Sequence, residues 1–135
     1  MSIYFSFIYS SVKGLLQHKN KKCIRENCQY CDEYDCSTKH CVYRINCKFC
    51  QAFYIGESKR TMRSRLSEHI TQETSQVFQH LRTHHSIPML DHIKWTIVHH
   101  NIFNTGTRRR VELSEINLKK PTINIQLMNF NAVHD

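Results

Sequence analysis

Hydrophobic and polar positions change their period several times along this chain, and each change marks an element. Cys41–Ile45 and Ala52–Ile55 are short apolar, β-prone runs, separated by a polar loop that includes Cys47-Lys48-Phe49-Cys50, and together they predict a β-hairpin. From Thr61 to Ile70 the apolar residues Met62, Leu66 and Ile70 recur every fourth position, which predicts a helix with that stripe buried. Arg65 and His69 have the same spacing, so they stand one turn apart beside the stripe. Ser75–His84 predicts a second helix buried through Val77, Phe78 and Leu81. Ile93, Trp95 and Ile97 alternate with Lys94, Thr96 and Val98, the period of a third strand. Thr107 is placed to cap a last helix that runs to Lys119 and is stopped by Pro121.

These elements predict an α+β domain over residues 41–125: a three-stranded antiparallel sheet flanked by helices, preceded by a Cys-rich segment. That segment, residues 23–40, is polar and has neither period, so a metal would have to order it. Residues 1–22 end in the basic run His18, Lys19, Lys21, Lys22 and read as a tail or incomplete element; residues 126–135 read as a C-terminal tail. The apolar stretch Ile3–Leu16 is interrupted by Ser6, Ser10, Ser11 and Lys13. It is shorter than the roughly 20 residues of a membrane span, and no basic residue precedes its apolar part as in a signal peptide. A short core strand or frayed remnant is the expectation, with no membrane partner, and a nuclear or cytoplasmic rather than secreted protein.

Composition narrows the class. A chain of 135 residues with 3 Gly and 2 Pro has the length of one compact domain and is neither collagenous nor low-complexity. Lys plus Arg number 19 against 11 Asp plus Glu, a net charge of +8 with the ten His neutral. Such a surplus points to a polyanionic partner, nucleic acid before anionic membrane, although a solvated basic face gives the same count. Lys59, Arg60, Arg63 and Arg108-Arg109-Arg110 are the candidate phosphate contacts.

Seven cysteines stand at 23, 28, 31, 36, 41, 47 and 50. An odd number without a signal peptide argues against a disulfide framework and for thiolate–metal chemistry. Cys28–Cys31 and Cys47–Cys50 are both C-x2-C pairs, a zinc-ribbon spacing in which each pair turns two sulfurs toward one tetrahedral ion. The quartet Cys28, Cys31, Cys47 and Cys50 is the expected zinc site, with Cys23, Cys36, Cys41 and His40 as competing ligands. Ordinary free thiols are the alternative.

One ordered set of residues is more specific. Val42-Tyr43 and Tyr54-Ile55-Gly56 lie on the two hairpin strands, their tyrosines eleven residues apart, and Arg65 follows eleven residues later within Ser64-Arg65-Leu66-Ser67-Glu68-His69. Glu112 comes late, ahead of Pro121-Thr122-Ile123-Asn124. This set resembles the GIY-YIG endonuclease family. The wording from Val42 through Tyr54-Ile55-Gly56-Glu57-Ser58-Lys59-Arg60 is most similar to the nuclease domain of Penelope-like retroelements, which tend to carry a Cys-rich stretch ahead of it. There are departures. Cys41 stands where the family usually has Gly, Glu115 lies one turn from Glu112 and competes for its place, and 135 residues leave no room for the reverse transcriptase of a parent polyprotein.

The resemblance implies a metal-dependent DNA endonuclease of retroelement type, with Tyr43, Tyr54, Arg65, His69 and Glu112 catalytic and one Mg²⁺ (or Mn²⁺) held by Glu112. A carboxylate is the hard oxygen ligand that Mg²⁺ prefers, and a Tyr hydroxyl needs cations or a His neighbour before it can move a proton near neutral pH. Lys59, Arg60, His80 and Asn124 are the expected substrate contacts, Asn124 alternatively supporting the site. Taken singly, the tyrosines are ordinary strand residues, Arg65 and His69 a solvated face with Glu68, and Glu112 half of a surface pair with Arg108. The rival readings are a catalytically inactive, zinc-stabilised nucleic-acid-binding module and a degenerate element remnant.

Overall fold

The computed structural model describes Cys23, Arg25 and residues 27–124; the tails expected at 1–22 and 126–135, with the stretch Ile3–Leu16, lie outside the described residues. Three strands form one antiparallel sheet in the order β2-β1-β3: β1 (Cys41–Cys47), β2 (Phe53–Ser58) and β3 (Ile93–His99). Between β2 and β3 lie α1 (Met62–Thr71), α2 (Gln76–His84) and a single 3-10 turn, Leu90–His92; α3 (Thr105–Lys119) follows β3. The α+β class, the hairpin and the three helices are those expected from the period of the chain.

Strand alternation sorts the side chains. Ile45 pairs with Tyr54 and Trp95, and Tyr43 with Gly56 and Ile97, so these residues share one face. On that face Cys41, Tyr43, Ile45, Cys47, Tyr54 and Trp95 join Met62 and Leu66 of α1 and Val77 and Leu81 of α2 in a single core. Helix α3 packs on β2 and β1. Phe78, expected in the core, is half-buried with the Arg82 guanidinium 5.2 Å above its ring, while His80 is buried.

Both early helices start where a hydroxyl accepts a backbone N–H: Thr61 from Ser64 N, and Ser75 from Phe78 N. The start of α3 corrects the expected cap. Asn104, not Thr107, is the N-cap; its side-chain oxygen accepts from Thr107 N, which places Thr107 inside the first turn. Lys120 ends α3 in the left-handed conformation, φ 54°, just before Pro121.

The Cys-rich segment docks on this frame without secondary structure of its own. Its carbonyls accept the first N–H groups of α1, Met62 N to Thr38 O (3.0 Å) and Arg63 N to Cys36 O (2.8 Å), which otherwise have no partner inside the helix. Trp95 Nε1 donates to Tyr30 O at 3.0 Å, and the Tyr34 ring lies 6.0 Å from that of Trp95. No helix among the described residues is long and apolar enough to cross a membrane.

Candidate active site

The centre of the site is a hydrogen-bonded chain across three elements. Tyr43 Oη lies 2.7 Å from His69 Nε2 and accepts from Arg65 Nη2 at 3.0 Å. His69 Nδ1 lies 2.8 Å from Ser75 Oγ. Arg65 also donates Nη1 to Glu68 Oε1 at 2.6 Å, and Glu68 is clamped from the other side by Arg60 at 2.6 and 2.9 Å. Tyr54 lies edge-on to His69, with ring centroids 5.1 Å apart, and 6.3 Å from the ring of Tyr43. The turn of helix between Arg65 and His69 brings both onto Tyr43.

Gly56 is what lets the two tyrosines lie together. A Cβ built there would stand 2.6 Å from Tyr43 Oη and 2.8 Å from Tyr54 Cε2, closer than side chains can approach. Cys41, at the usual Gly position, is fully buried in the core, and burial pushes its thiol up to about 11; it behaves as a small apolar group.

Burial sets the protonation states. It raises the Tyr43 hydroxyl well above its ordinary range, Tyr54 adding to this and Arg65 opposing it. Burial and then the positive charge of Arg65 depress His69 to about 3, so its imidazole is neutral near pH 7. Glu112 of α3 is pushed up to about 7, by burial first and the neighbouring Glu57 carboxylate next, against Arg109, Arg65 and Arg108. Glu115 is instead occupied with His99 (2.9 Å) and Lys119 (3.1 Å).

Beside the chain opens a polar cleft of about 320 Å³, lined by Lys59, Arg60, Arg65 and Arg109 together with Glu57 and Thr105. Lys59 and Arg60, the expected substrate contacts, line this cleft. Arg108 forms part of its wall but is 2% exposed; its Nε donates to Glu57, and its remaining nitrogens bond Ile102 O and Thr105 Oγ1, so it ties α3 to β2 rather than pairing with Glu112.

Two expected substrate contacts lie elsewhere. Asn124 is buried, accepting from Ile55 N and donating to Ile55 O, each at 2.9 Å. Its amide bonds the backbone beside Tyr54 through both its oxygen and its nitrogen, so it braces β2. His80 is buried against Cys50, with Nε2 3.4 Å from the sulfur, because the hairpin loop folds over α2.

That contact belongs to a corrected metal assignment. The expected zinc quartet is split: Cys28 and Cys31 group with Cys23 and Cys36, while Cys47 and Cys50 group with His80 and His85, the ligand atoms of each group lying within 4.8 Å of one another. The two C-x2-C pairs fall in different groups, one on the docked segment and one on the hairpin. Both sets have the soft donors and fourfold number of structural zinc, and could hold it. Cys28 and Cys36 sulfurs are already 3.6 Å apart. The rise that burial gives Cys28 is outweighed by the N–H groups of Cys31 and Tyr30 and the thiols of Cys36 and Cys23, which bring it to about 7. In the second set His85 Nε2 is buried without a hydrogen-bond partner, free to take an ion. His40 and Cys41 belong to neither group; the His40 ring lies 4.9 Å from Phe103.

A family model described as the GIY-YIG catalytic domain matches residues 39–124. The chain belongs to the GIY-YIG family. No curated protein and no solved structure matches it. The match spans the hairpin, both central helices, β3 and α3, so the hydrogen-bonded tyrosine, histidine and arginine lie within a nuclease-type catalytic domain of the endonuclease superfamily, whose substrate would be DNA. Sequence reasoning missed Gly56 as a packing requirement, and missed Ser75, Glu68 and His85; Cys23 and Cys36 were named only as competing ligands. For His85 a signal existed: Cys47-x2-Cys50 followed by His80-x4-His85 has Cys2His2 spacing.

Proposed function

We propose that this GIY-YIG domain is a metal-dependent DNA endonuclease of retroelement type. The observation that carries the reading is the bond from Tyr43 Oη to His69 Nε2, made while Arg65 donates to the same oxygen. A neutral imidazole gives the Tyr43 proton somewhere to go. The Tyr43 oxygen then takes a proton from the attacking water as its own passes to Nε2, the water oxygen bonds phosphorus, and the 3′ or 5′ oxygen leaves. Arg65 stabilises charge on the Tyr43 oxygen and on the phosphate. Lys59, Arg60 and Arg109 draw the backbone into the cleft. Glu112, a half-buried carboxyl raised by burial and by Glu57, fits a divalent cation, whose binding would relieve that repulsion. Mg²⁺ held there would polarise the phosphate and assist the leaving oxygen. Two zinc ions, one in each Cys or Cys/His group, would be structural. The Cys-rich lead-in, with the wording around Tyr54-Ile55-Gly56, supports the Penelope-like subtype, a parent polyprotein with a reverse transcriptase, and a reducing nuclear or cytoplasmic setting.

The test is nicking of supercoiled plasmid in Mg²⁺ by wild type and Tyr43→Phe. Loss of one hydroxyl should abolish nicking while DNA binding persists. Wild-type protein that binds but never nicks makes this an inactive binding module; protein that does neither is a remnant.

A further inference from the structure

The geometry points to Ser75 as a positioning residue that fixes the tautomer and aim of His69, an inference that rests on the nuclease reading for its catalytic consequence but not for its structural one. Ser75 is at once the N-cap of α2, accepting from Phe78 N at 3.4 Å, and the partner of His69 Nδ1 at 2.8 Å. The cap makes its oxygen an acceptor. A hydroxyl oxygen has two lone pairs, so it can accept from Phe78 N and from a protonated Nδ1 together. That leaves the bare Nε2 facing Tyr43 Oη at 2.7 Å. Tyr43 is fully buried, has one proton and already accepts from Arg65, so its proton goes to Nε2, while the proton of the half-buried Ser75 hydroxyl is left to solvent. The opposite tautomer would point an N–H at Tyr43 and take away the acceptor its proton requires.

The turn that delivers Ser75 is short and itself bonded. Gln72 N donates to Glu68 O to close α1, and Ser75 N donates to Gln72 O at 3.0 Å. Ser75 therefore arrives beside His69 from the next helix, as an orienting hydroxyl. The titratable groups around the imidazole are Tyr43 on β1, Tyr54 on β2, and Arg65 and Glu68 on α1. Burial and Arg65 keep the ring neutral; Ser75 decides which nitrogen holds the proton.

Long-range ¹⁵N–¹H spectra of zinc-loaded full-length protein report the tautomer directly, with the His69 signals assigned by their loss in His69→Gln. Wild type should show His69 protonated on Nδ1. Ser75→Ala should lose that preference and slow nicking by about tenfold, less than the roughly 10²–10⁴-fold that the positioned proton acceptor itself contributes, with KM unchanged. Its melting point should also fall by about 5 °C through the lost cap. Ser75→Thr keeps the oxygen and should restore tautomer and rate. Ser75→Asp keeps the cap and accepts from Nδ1, but its charge should raise the imidazole and move the acid limb of the nicking profile to higher pH. A wild-type ring protonated on Nε2, or a Ser75→Ala protein that keeps the tautomer and rate and loses only melting temperature, overturns the proposal. A wild type with the expected tautomer that never nicks leaves the positioning role standing and removes the nuclease reading.

Discussion

The Tyr43–His69 face and the Cys-rich lead-in are built on opposite principles. On the first the polar groups bond one another: Ser75, His69, Tyr43, Arg65, Glu68 and Arg60 form one continuous chain of hydrogen bonds on strands and helices that bury their own apolar stripes. Among its described residues the segment from Cys23 to Thr38 has no strand or helix, and the sulfurs of Cys28 and Cys36 face each other. Burial raises Cys31 and Cys36, so a full set of thiolates there is unfavourable without a cation. The first region is organised by the fold; the second carries donors that a metal ion could organise. They meet where Cys36 O and Thr38 O accept the first N–H groups of α1, the helix that carries Arg65 and His69.

Removing metal should break this comparison most severely. Purified protein should contain about two zinc ions per chain, one per four-coordinate site, and either Cys31→Ser or His80→Ala should leave about one. Because structural zinc binding is folding free energy, stripping both should lower the melting temperature by on the order of 10 °C or more and release α1 along with the segment. Metal analysis and calorimetry check this. Unchanged melting after chelation would mean the core alone orders the segment.

Arg65→Ala should do the converse. Nicking should fall on the order of 10²–10³-fold, the loss expected when one charge-stabilising donor is removed. Glu68 keeps Arg60 as a partner, so the melt should move little. Gly56→Ala comes next: the added Cβ must displace Tyr43 or Tyr54, costing about 1–3 kcal/mol of stability and misaligning both hydroxyls. Denaturant midpoint and nicking rate should drop together.

A pH dependence, read against wild type as a change of slope, completes the series. His69 binds its proton near pH 3 when folded and near 6.5 when unfolded, so between those values the unfolded chain holds more protons and stability falls as pH falls. Glu68, held below the usual carboxylate range chiefly by Arg60, acts in the same direction at lower pH. Urea titrations of wild type and His69→Gln at pH 7 and 4.5 should show a shallower decline in the variant.

How much of this was legible in the chain follows the same division. The strands and helices were readable because Ile93-Trp95-Ile97 and Met62-Leu66-Ile70 announce their periods, and the order of Tyr43, Tyr54 and Arg65 announced the site. The corrections concern residues whose partners come from afar. Cys28 and Cys50 share a local pattern but fall in different ligand groups, because grouping depends on where the hairpin loop meets α2. Arg108 looks like one more basic residue in the sequence, but it is buried and bonded to Glu57, fifty-one positions away. Asn124 turned out to complete an edge strand, a role only the sheet order reveals. Spacing along the chain reports a residue's own element, not the neighbour it meets across the core.

The central claim is that the Tyr43–His69–Arg65 chain and Glu112 together hydrolyse DNA. Its most direct test is plasmid nicking in Mg²⁺ by zinc-loaded wild type beside Glu112→Gln, with DNA binding measured on the same samples. Wild type should convert supercoiled plasmid to the nicked form; Glu112→Gln should bind DNA equally and leave it intact. Equal cleavage by the two proteins, or none by wild type in Mg²⁺ or Mn²⁺, would contradict the account.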